Sequence, residues 1–436
     1  MAGWYNIREY ESFVDKSVCD ARGISLGNGQ IGLPSKLFSS LENFILENRD
    51  EGTSALELMS LGAKPGIGRT ITARNYVGSI SFKDGTTIQI WPKLASGSSS
   101  EEEKHVFLKM LQSVMELPMK EFDLASLSTA RIGVLEPFIG MFTRAASDLA
   151  RRGLRGSYIH HEGNETFVKG KIDFAKTFKV NAAHEERIYV HFDEFGVDRP
   201  ENKLIKSTLN LLRGKTRYPE TKKAVETTLV LFADVSLSKD VERDFARCQL
   251  DRTMGAYVPL LKWARVFLKG ESFTSFKGSE VATSLLFPME TLFESFVAKE
   301  VRRAAAAQGW KATAQDTTEY LYSEAKRYRL RPDIVLRHES AKPVVLDTKW
   351  KRIGSEKGDD ASQADMYQMY AYQHRFKASK AMLVYPRHEG LAMGLKDTYL
   401  SQSDGMLDVN TQIFVFDLMN AKQSAEELVR VAVEAG

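Results

Sequence analysis

The sequence predicts a mixed α+β protein in three parts. These are a β-rich N-terminal domain with a helical insertion (1–103), a mixed, mainly helical middle region (104–270) and a C-terminal α/β domain (271–436). Three observations predict it. Residues 79–94 alternate apolar and polar side chains on either side of Asp84-Gly85, a strong hairpin signal. Helical apolar spacing dominates 104–156 and 199–270. From 287 onward the order reads helix, β-hairpin, strand, helix, strand, a compact unit of about 150 residues. Single cores rarely grow beyond ~250–300 residues, so a chain of 436 is expected to divide.

In chain order, residues 7–13 (IREYESF) alternate and read as a strand. Residues 33–50 carry apolar side chains at 37, 38, 41, 44 and 45, a helical stripe, and a Gly-rich stretch follows to 70. A helix plus a long Gly-rich excursion inside a small β-domain predicts a protruding finger over about 33–70. The polar patch at 95–104 reads as a surface loop or linker. Two helical runs fill 104–156, short strands occupy 157–195, and three or four helices follow over 199–270. Residues 287–309 form an amphipathic helix with Pro288 in its first turn and Gly309 past its end. Strands are expected around 318–336 and 343–350, a helix at 361–376, and strands at 380–385 and 412–416.

Composition narrows the function. Hydrophobic residues make up 43% and charged residues 27%, as in an ordinary globular protein. The net charge of +3 gives no global basic field, so any anion site must be a local cluster. Two distant cysteines, Cys19 and Cys248, exclude a disulfide framework and a four-cysteine zinc site. The N-terminus has no signal-peptide core, and apolar runs such as 228–233 fall far short of the ~20 residues of a membrane span. A cytoplasmic protein without a membrane partner is expected. The Gly-rich run from Lys64 to Arg69 lacks the spacing and helix of a phosphate loop and reads as a turn or partner contact. His160, His161 and His191 lack partners at zinc spacing and read as structural.

The chemistry concentrates in two apolar strands, RPDIVL and VVLDTKW, joined by a polar turn. Strand side chains alternate, so Asp347 and Lys349 share a face. If the strands pair as a hairpin, Asp333 sits beside Asp347. Two carboxylates, with the backbone carbonyl of Thr348, suit Mg2+ (Mn2+ as a substitute), which binds oxygen and keeps several waters. Such an ion polarises a phosphoryl oxygen and acidifies a water, while the ammonium of Lys349 steadies negative charge. Glu294, flanked by Phe293 and Phe296 on the preceding helix, is an accessory carboxylate and candidate metal ligand. On the following helix Gln363/Tyr367 and Gln368/Tyr372 are i,i+4 pairs able to contact phosphate or sugar, and Gln368 and Tyr372 are preferred. Lys326, Arg327, Arg329, Arg331, Lys351 and Arg352 crowd the hairpin. Of these, Arg329, Arg331, Lys351 and Arg352 are candidate contacts to the phosphate backbone of duplex DNA.

Together, FPMETLFESFV, RPDIVL, VVLDTKWK and ADMYQMYAY resemble the C-terminal domain of the McrC family, nuclease subunits of McrBC modification-dependent restriction systems. NYVGSISFKDGTTIQIWPKL and HFDEFGVDRPENKLIKSTL resemble that family's N-terminal segments, so the resemblance spans nearly the whole chain. It implies a PD-(D/E)xK (restriction-endonuclease-like) fold with Asp333, Asp347 and Lys349 in the catalytic positions and Glu294 and Gln368 in neighbouring motif positions. It implies a hexameric AAA+ GTPase partner of the McrB kind, which reads modified DNA, is stimulated by this subunit, and receives its finger in the ring's pore. Lys64 and Arg69, in the expected finger, become candidate partner contacts. The expected function is that of a Mg2+-dependent endodeoxyribonuclease, silent until the motor delivers it. The alternatives are a regulatory activator of an AAA+ ring that does not cut, and a stand-alone repair nuclease.

Overall fold

The computed structural model describes residues 3–47, 59–93, 100–115, 135–184, 186–216, 218–269, 281–354, 361–388, 390–401 and 409–434. The chain divides into two compact units, residues 1–134 with 272–436, and residues 135–271. The first and last of the three parts read from sequence thus fall in one compact unit, and most of the middle part forms the other.

The N-terminal half of the first unit begins with β1 (Trp4–Arg8) and β2 (Ser12–Asp15), which belong to different sheets. The single strand expected over 7–13 is broken because Tyr10 adopts a left-handed backbone, φ 66°. Asp15 then caps α1 (Lys16–Ala21), accepting from the amides of Ser17 and Val18. After β3 (Gln30–Leu33) comes α2 (Ser35–Glu47), then β4 (Met59–Lys64) and β5 (Gly68–Ala73), which form an antiparallel hairpin. One sheet runs in the order β3-β2-β5-β4.

The finger expected over 33–70 is thus corrected for its described residues. Leu37, Phe38, Leu41, Phe44 and Ile45, the stripe of α2, are buried in the core with Phe13, Ile71 and Ile80. Each such side chain contributes roughly 1.5–3 kcal/mol on burial, so α2 is fold-bearing. The Gly-rich tip is the turn between β4 and β5; residues 51–58 lie outside the described residues.

The hairpin expected over 79–94 is present as β6 (Tyr76–Phe82) and β7 (Thr87–Trp91). Asp84 caps its turn by accepting from the Thr86 amide at 2.8 Å, and Gly85 supplies the positive φ of 86°. The helix α3 (Ser100–Met115) follows, so the expected linker at 95–104 ends inside a helix.

The second unit contains α4 (Leu135–Arg151), β8 (Ser157–Glu165), β9 (Lys171–Ile172), α5 (Phe174–Val180) and β10 (Ile188–Gly196). It continues with α6 (Pro200–Lys215), α7 (Pro219–Val230), α8 (Val241–Arg247) and α9 (Tyr257–Lys269). Its helices bury Phe138, Leu204, Leu209 and Leu260. Its sheet, β8-β10-β9, does not resemble a core sheet. α5 buries none of its residues and β10 buries only Val190. Tyr158, Phe167, Phe174, Phe178 and Phe195 are instead exposed, Phe178 by 77%. Polar pairs hold this arm together: Lys176 with Glu162 at 2.7 Å, and Asn164 and Asn181 exchanging amide hydrogen bonds at 2.6 and 2.7 Å. Gly170 (φ 75°) lets β9 approach β10, since a Cβ there would lie 2.3 Å from the carbonyl oxygen of His191.

The C-terminal half of the first unit opens with β11 (Val281–Pro288), which pairs antiparallel with β6 and completes the order β1-β7-β6-β11. Pro288 then caps α10 (Met289–Ala307) rather than standing inside its first turn. After β12 (Lys311–Ala314) come the two-stranded ribbon β13 (Tyr320–Tyr322) and β14 (Arg327–Arg329), then β15 (Ile334–His338) and β16 (Ala341–Thr348). The rest is α11 (Gln363–Phe376), β17 (Lys380–Pro386), β18 (Gly394–Ser401), β19 (Val409–Phe416) and α12 (Ala421–Val433). The sheet order is β12-β15-β16-β17-β19-β18, with β16, β17 and β19 parallel. α11 packs Met369, Tyr372 and Phe376 onto Val345, Leu383 and Ile413.

The two halves of this unit meet at a buried carboxyl. Glu9, fully inaccessible, accepts from the Trp350 indole at 3.0 Å and the Lys93 amide at 3.1 Å. Burial pushes its pKa up to about 8, against the hydrogen bonds from Lys93 and Trp350 and the charge of Arg352. A carboxyl whose folded value exceeds its unfolded value stabilises fully below the unfolded value, and that contribution is lost as pH rises through the folded one. Stability should therefore fall between pH 4.5 and about 8, by on the order of 4 kcal/mol across the window. In Glu9→Gln the part of that fall due to Glu9 should vanish in urea-unfolding titrations, and the pH slope should become shallower. The slope is the readout, because a glutamine oxygen replaces only one of the two acceptors. An unchanged slope would refute the assignment.

Candidate active site

The motif strands pair as expected. Ile334 stands opposite Leu346 in the β15–β16 register, so Asp333, one residue earlier, lies next to Asp347, one residue later. Asp333 Oδ2 accepts from both the amide and the hydroxyl of Thr348, each at 2.7 Å. Lys349 Nζ lies 2.6 Å from Asp347 Oδ2 and donates to Gln368 Oε1 at 2.9 Å. Gln368 in turn donates to the Tyr372 hydroxyl at 2.8 Å. Strand alternation places Asp347 and Lys349 together, and the i,i+4 spacing of α11 supplies the side chains that orient the lysine.

Three carboxyls crowd this end of the sheet. Asp347 is 2% exposed, and its Oδ2 has no aligned hydrogen-bond donor despite the nearby ammonium. Burial raises the pKa of Asp347, and the charge of Asp333 raises it further. Burial raises Asp333 as well, opposed by its bonds from Thr348. Glu294, on α10, is pushed up to about 7 by burial and then by Asp333. Burial alone would lower Lys349, but Asp347, Asp365 and Asp333 outweigh it and hold the ammonium above its usual value. Crowded carboxyls that resist ionisation beside an undonated buried oxygen are what a bound cation relieves. Among the described residues no group of three or more His, Cys, Asp or Glu is spaced to hold a metal ion. Mg2+ needs only one or two carboxylates because it keeps its waters, so Asp333 and Asp347 fit it.

The other candidates separate. Arg331 donates to Gln315 Oε1, and Gln315 Nε2 donates to Glu294 Oε1 at 2.5 Å. Gln315 also holds the strand end, its amide donating to the Asp333 carbonyl at 2.8 Å. The sequence reading missed it, since only its positive φ of 48° marks it. Asp365, in the first turn of α11, bonds Lys351 at 3.0 Å and lies 3.9 Å from Lys349. Arg352 is exposed beside that pair. Arg329 is elsewhere, on the β13–β14 ribbon, bonded to the Tyr320 hydroxyl at 2.8 Å. Gln363 donates to Tyr367 at 2.6 Å, but Tyr367 is 66% exposed.

Lys64 ends β4 in solvent, while Arg69 is tied back to Glu42 of α2 at 2.5 Å. Two of the three histidines do have carboxylate partners, which sequence spacing hid: His160 meets Asp193 at 3.0 Å and His191 meets Asp173 at 3.2 Å. Both cysteines are free. Among the described residues no helix is long and apolar enough to cross a membrane.

The model of the McrBC 5-methylcytosine restriction system component family matches residues 71–386. No curated protein matches the chain. Among solved structures, the chain is similar to one in a half-complex refined from a tetradecameric assembly of Thermococcus gammatolerans McrB AAA+ hexamers with bound McrC. That match has 17% identity and a TM-score of 0.68, and covers 98% of this chain and 100% of that one. It is also similar to a chain of the Thermococcus gammatolerans McrBC complex, with 18% identity and a TM-score of 0.50, over 69% of this chain and 88% of that one.

Proposed function

Because the chain belongs to the McrBC 5-methylcytosine restriction system component family, we propose that it is the DNA-cutting subunit of such a system, a Mg2+-dependent endodeoxyribonuclease. The observation that carries this reading is the juxtaposition of buried Asp347 with half-buried Asp333 and Lys349, with Lys349 oriented by Gln368.

Asp333 and Asp347, with the Thr348 carbonyl, would hold Mg2+, which when bound would polarise the scissile phosphoryl group and acidify a water. Thr348 fixes Asp333 by donating to its Oδ2 from both the amide and the hydroxyl. Lys349 stays protonated and presents a fixed positive charge to the developing negative charge on phosphate. Glu294, pushed up to about 7 by burial and by Asp333, would accept a proton beside this pair. Arg331, Lys351 and Arg352 lie close enough to the motif to contact the backbone. Arg329 on its ribbon would act farther along the duplex.

The partner is a hexameric AAA+ GTPase of the McrB kind, which supplies modified-base recognition and delivers the nuclease in the cytoplasm. The β8–β10 arm takes over the role first expected for residues 33–70. A sheet this small with so little core is marginal alone, and clustered exposed aromatics mark a partner surface. Metal removal tests the catalytic part. With the partner and GTP present, EDTA should abolish cutting, and Mg2+ or Mn2+ should restore it. Undiminished cutting in EDTA would refute the proposed site.

A further inference from the structure

A second basic site adjoins the first. Tyr10, Lys93, Lys351, Arg352, Arg387 and His388 line a small open cleft. Its cations come from three separate stretches: the end of β7, the segment after β16 and the segment after β17. Two are already answered, Lys351 by Asp365 at 3.0 Å and Arg387 by Asp417 at 2.6 Å. Lys93 and Arg352 have no side-chain hydrogen bond or ion pair among the described residues. The cleft therefore carries uncompensated positive charge, which a chain of net charge +3 shows nowhere by composition alone.

Glu9 braces the cleft from behind. Its two carboxyl oxygens hold the Lys93 main chain and the Trp350 ring, so the N-terminal wall and the motif wall keep one spacing. Raised to about 8, Glu9 is mostly protonated near pH 7 and does not cancel the cations. Asp365 connects the cleft to the candidate active site, bonding Lys351 on one side and lying 3.9 Å from Lys349 on the other.

We propose that this cleft binds a backbone phosphate of the DNA strand next to the one being cut, and that Lys93, from the N-terminal segment, is one of its ligands. The proposal rests on the nuclease reading and adds to it a contact outside the motif strands. It makes the seating of DNA depend on the joint between the two halves of the first unit. Duplex DNA is the ligand because the cleft's cations stand one residue away from the candidate active site: Asp365 bonds Lys351 and lies 3.9 Å from Lys349, and a phosphate backbone is the polyanion such a site acts on.

The test is duplex binding by the full chain, read by anisotropy of a labelled duplex in Ca2+ over a salt series. Lys93→Ala and Arg352→Ala should each weaken binding several-fold, and each should lower the slope of log affinity against log salt by about one. Arg352 is exposed and Lys93 is only half-buried, so circular dichroism should report an unchanged fold. An unchanged slope in Lys93→Ala overturns the proposal, as does a wild-type chain that binds no duplex. A Lys93-dependent slope with no Mg2+-dependent cutting would refute the nuclease reading and leave the cleft standing. Cutting with Lys93-independent binding would do the reverse.

Discussion

Replacing Asp347 with alanine should lower DNA cleavage at least about a thousandfold, roughly 4 kcal/mol in the barrier, without unfolding the protein. The reasoning is electrostatic. Asp347 is buried among carboxyls, and Asp333 and Glu294 both raise its pKa. Removing it relieves like-charge crowding, so thermal stability in EDTA should hold or rise. The Tm gain on adding Mg2+ should disappear, because a ligand stabilises only the state it binds. Stimulation of the partner GTPase should persist, since no docking residue is touched. Lost stimulation together with a lowered Tm would make Asp347 a folding residue instead.

The second large effect concerns the arm. Phe174→Ser combined with Phe178→Ser should reduce GTPase stimulation and partner-dependent cutting strongly. A buried aromatic anchor contributes about 2 kcal/mol or more to an interface, ~30-fold in affinity. Both rings are exposed in the isolated chain, Phe174 by 65% and Phe178 by 77%. Stability should therefore move by no more than about 0.5 kcal/mol. Metal-dependent Tm shifts and duplex binding should be unchanged. Full stimulation by the double variant would remove the arm from the docking surface. Loss of stability would show that its aromatics pack internally.

The parts of this molecule that sequence predicts are those set by local periodicity. The β6–β7 hairpin is written in its alternation and in Asp84-Gly85. Asp333, Asp347 and Lys349 converge because a hairpin register and a two-residue strand period fix all three. Gln368 and Tyr372 bond because helix spacing places them together.

What escaped depends on distant partners or on backbone exceptions. Glu9 and Trp350 are 341 residues apart, and no periodicity joins them. Val281–Pro288 becomes a strand because β6 lies open to it, across an intervening unit. Gln315 reaches Glu294 only because its backbone turns to positive φ. The helix expected in a finger over 33–70 is core for a related reason. The apolar stripe of α2 shows that it buries a face, and that face is covered by its own sheet. The exposure of the β8–β10 aromatics cannot be read from alternation, which gives the same pattern whether or not a second layer covers the strand.

The most direct measurement is cleavage of methylated and unmethylated plasmid with Mg2+. The chain would be assayed alone, with the AAA+ protein encoded beside it plus GTP, and as Asp347→Ala in the same complex. The account predicts cutting of methylated plasmid only, only with partner and GTP, and none by the variant. Cutting by the chain alone would contradict motor-gated action and indicate a stand-alone nuclease. GTPase stimulation without cutting, equal in wild type and variant, would contradict the nuclease reading and indicate a regulatory activator.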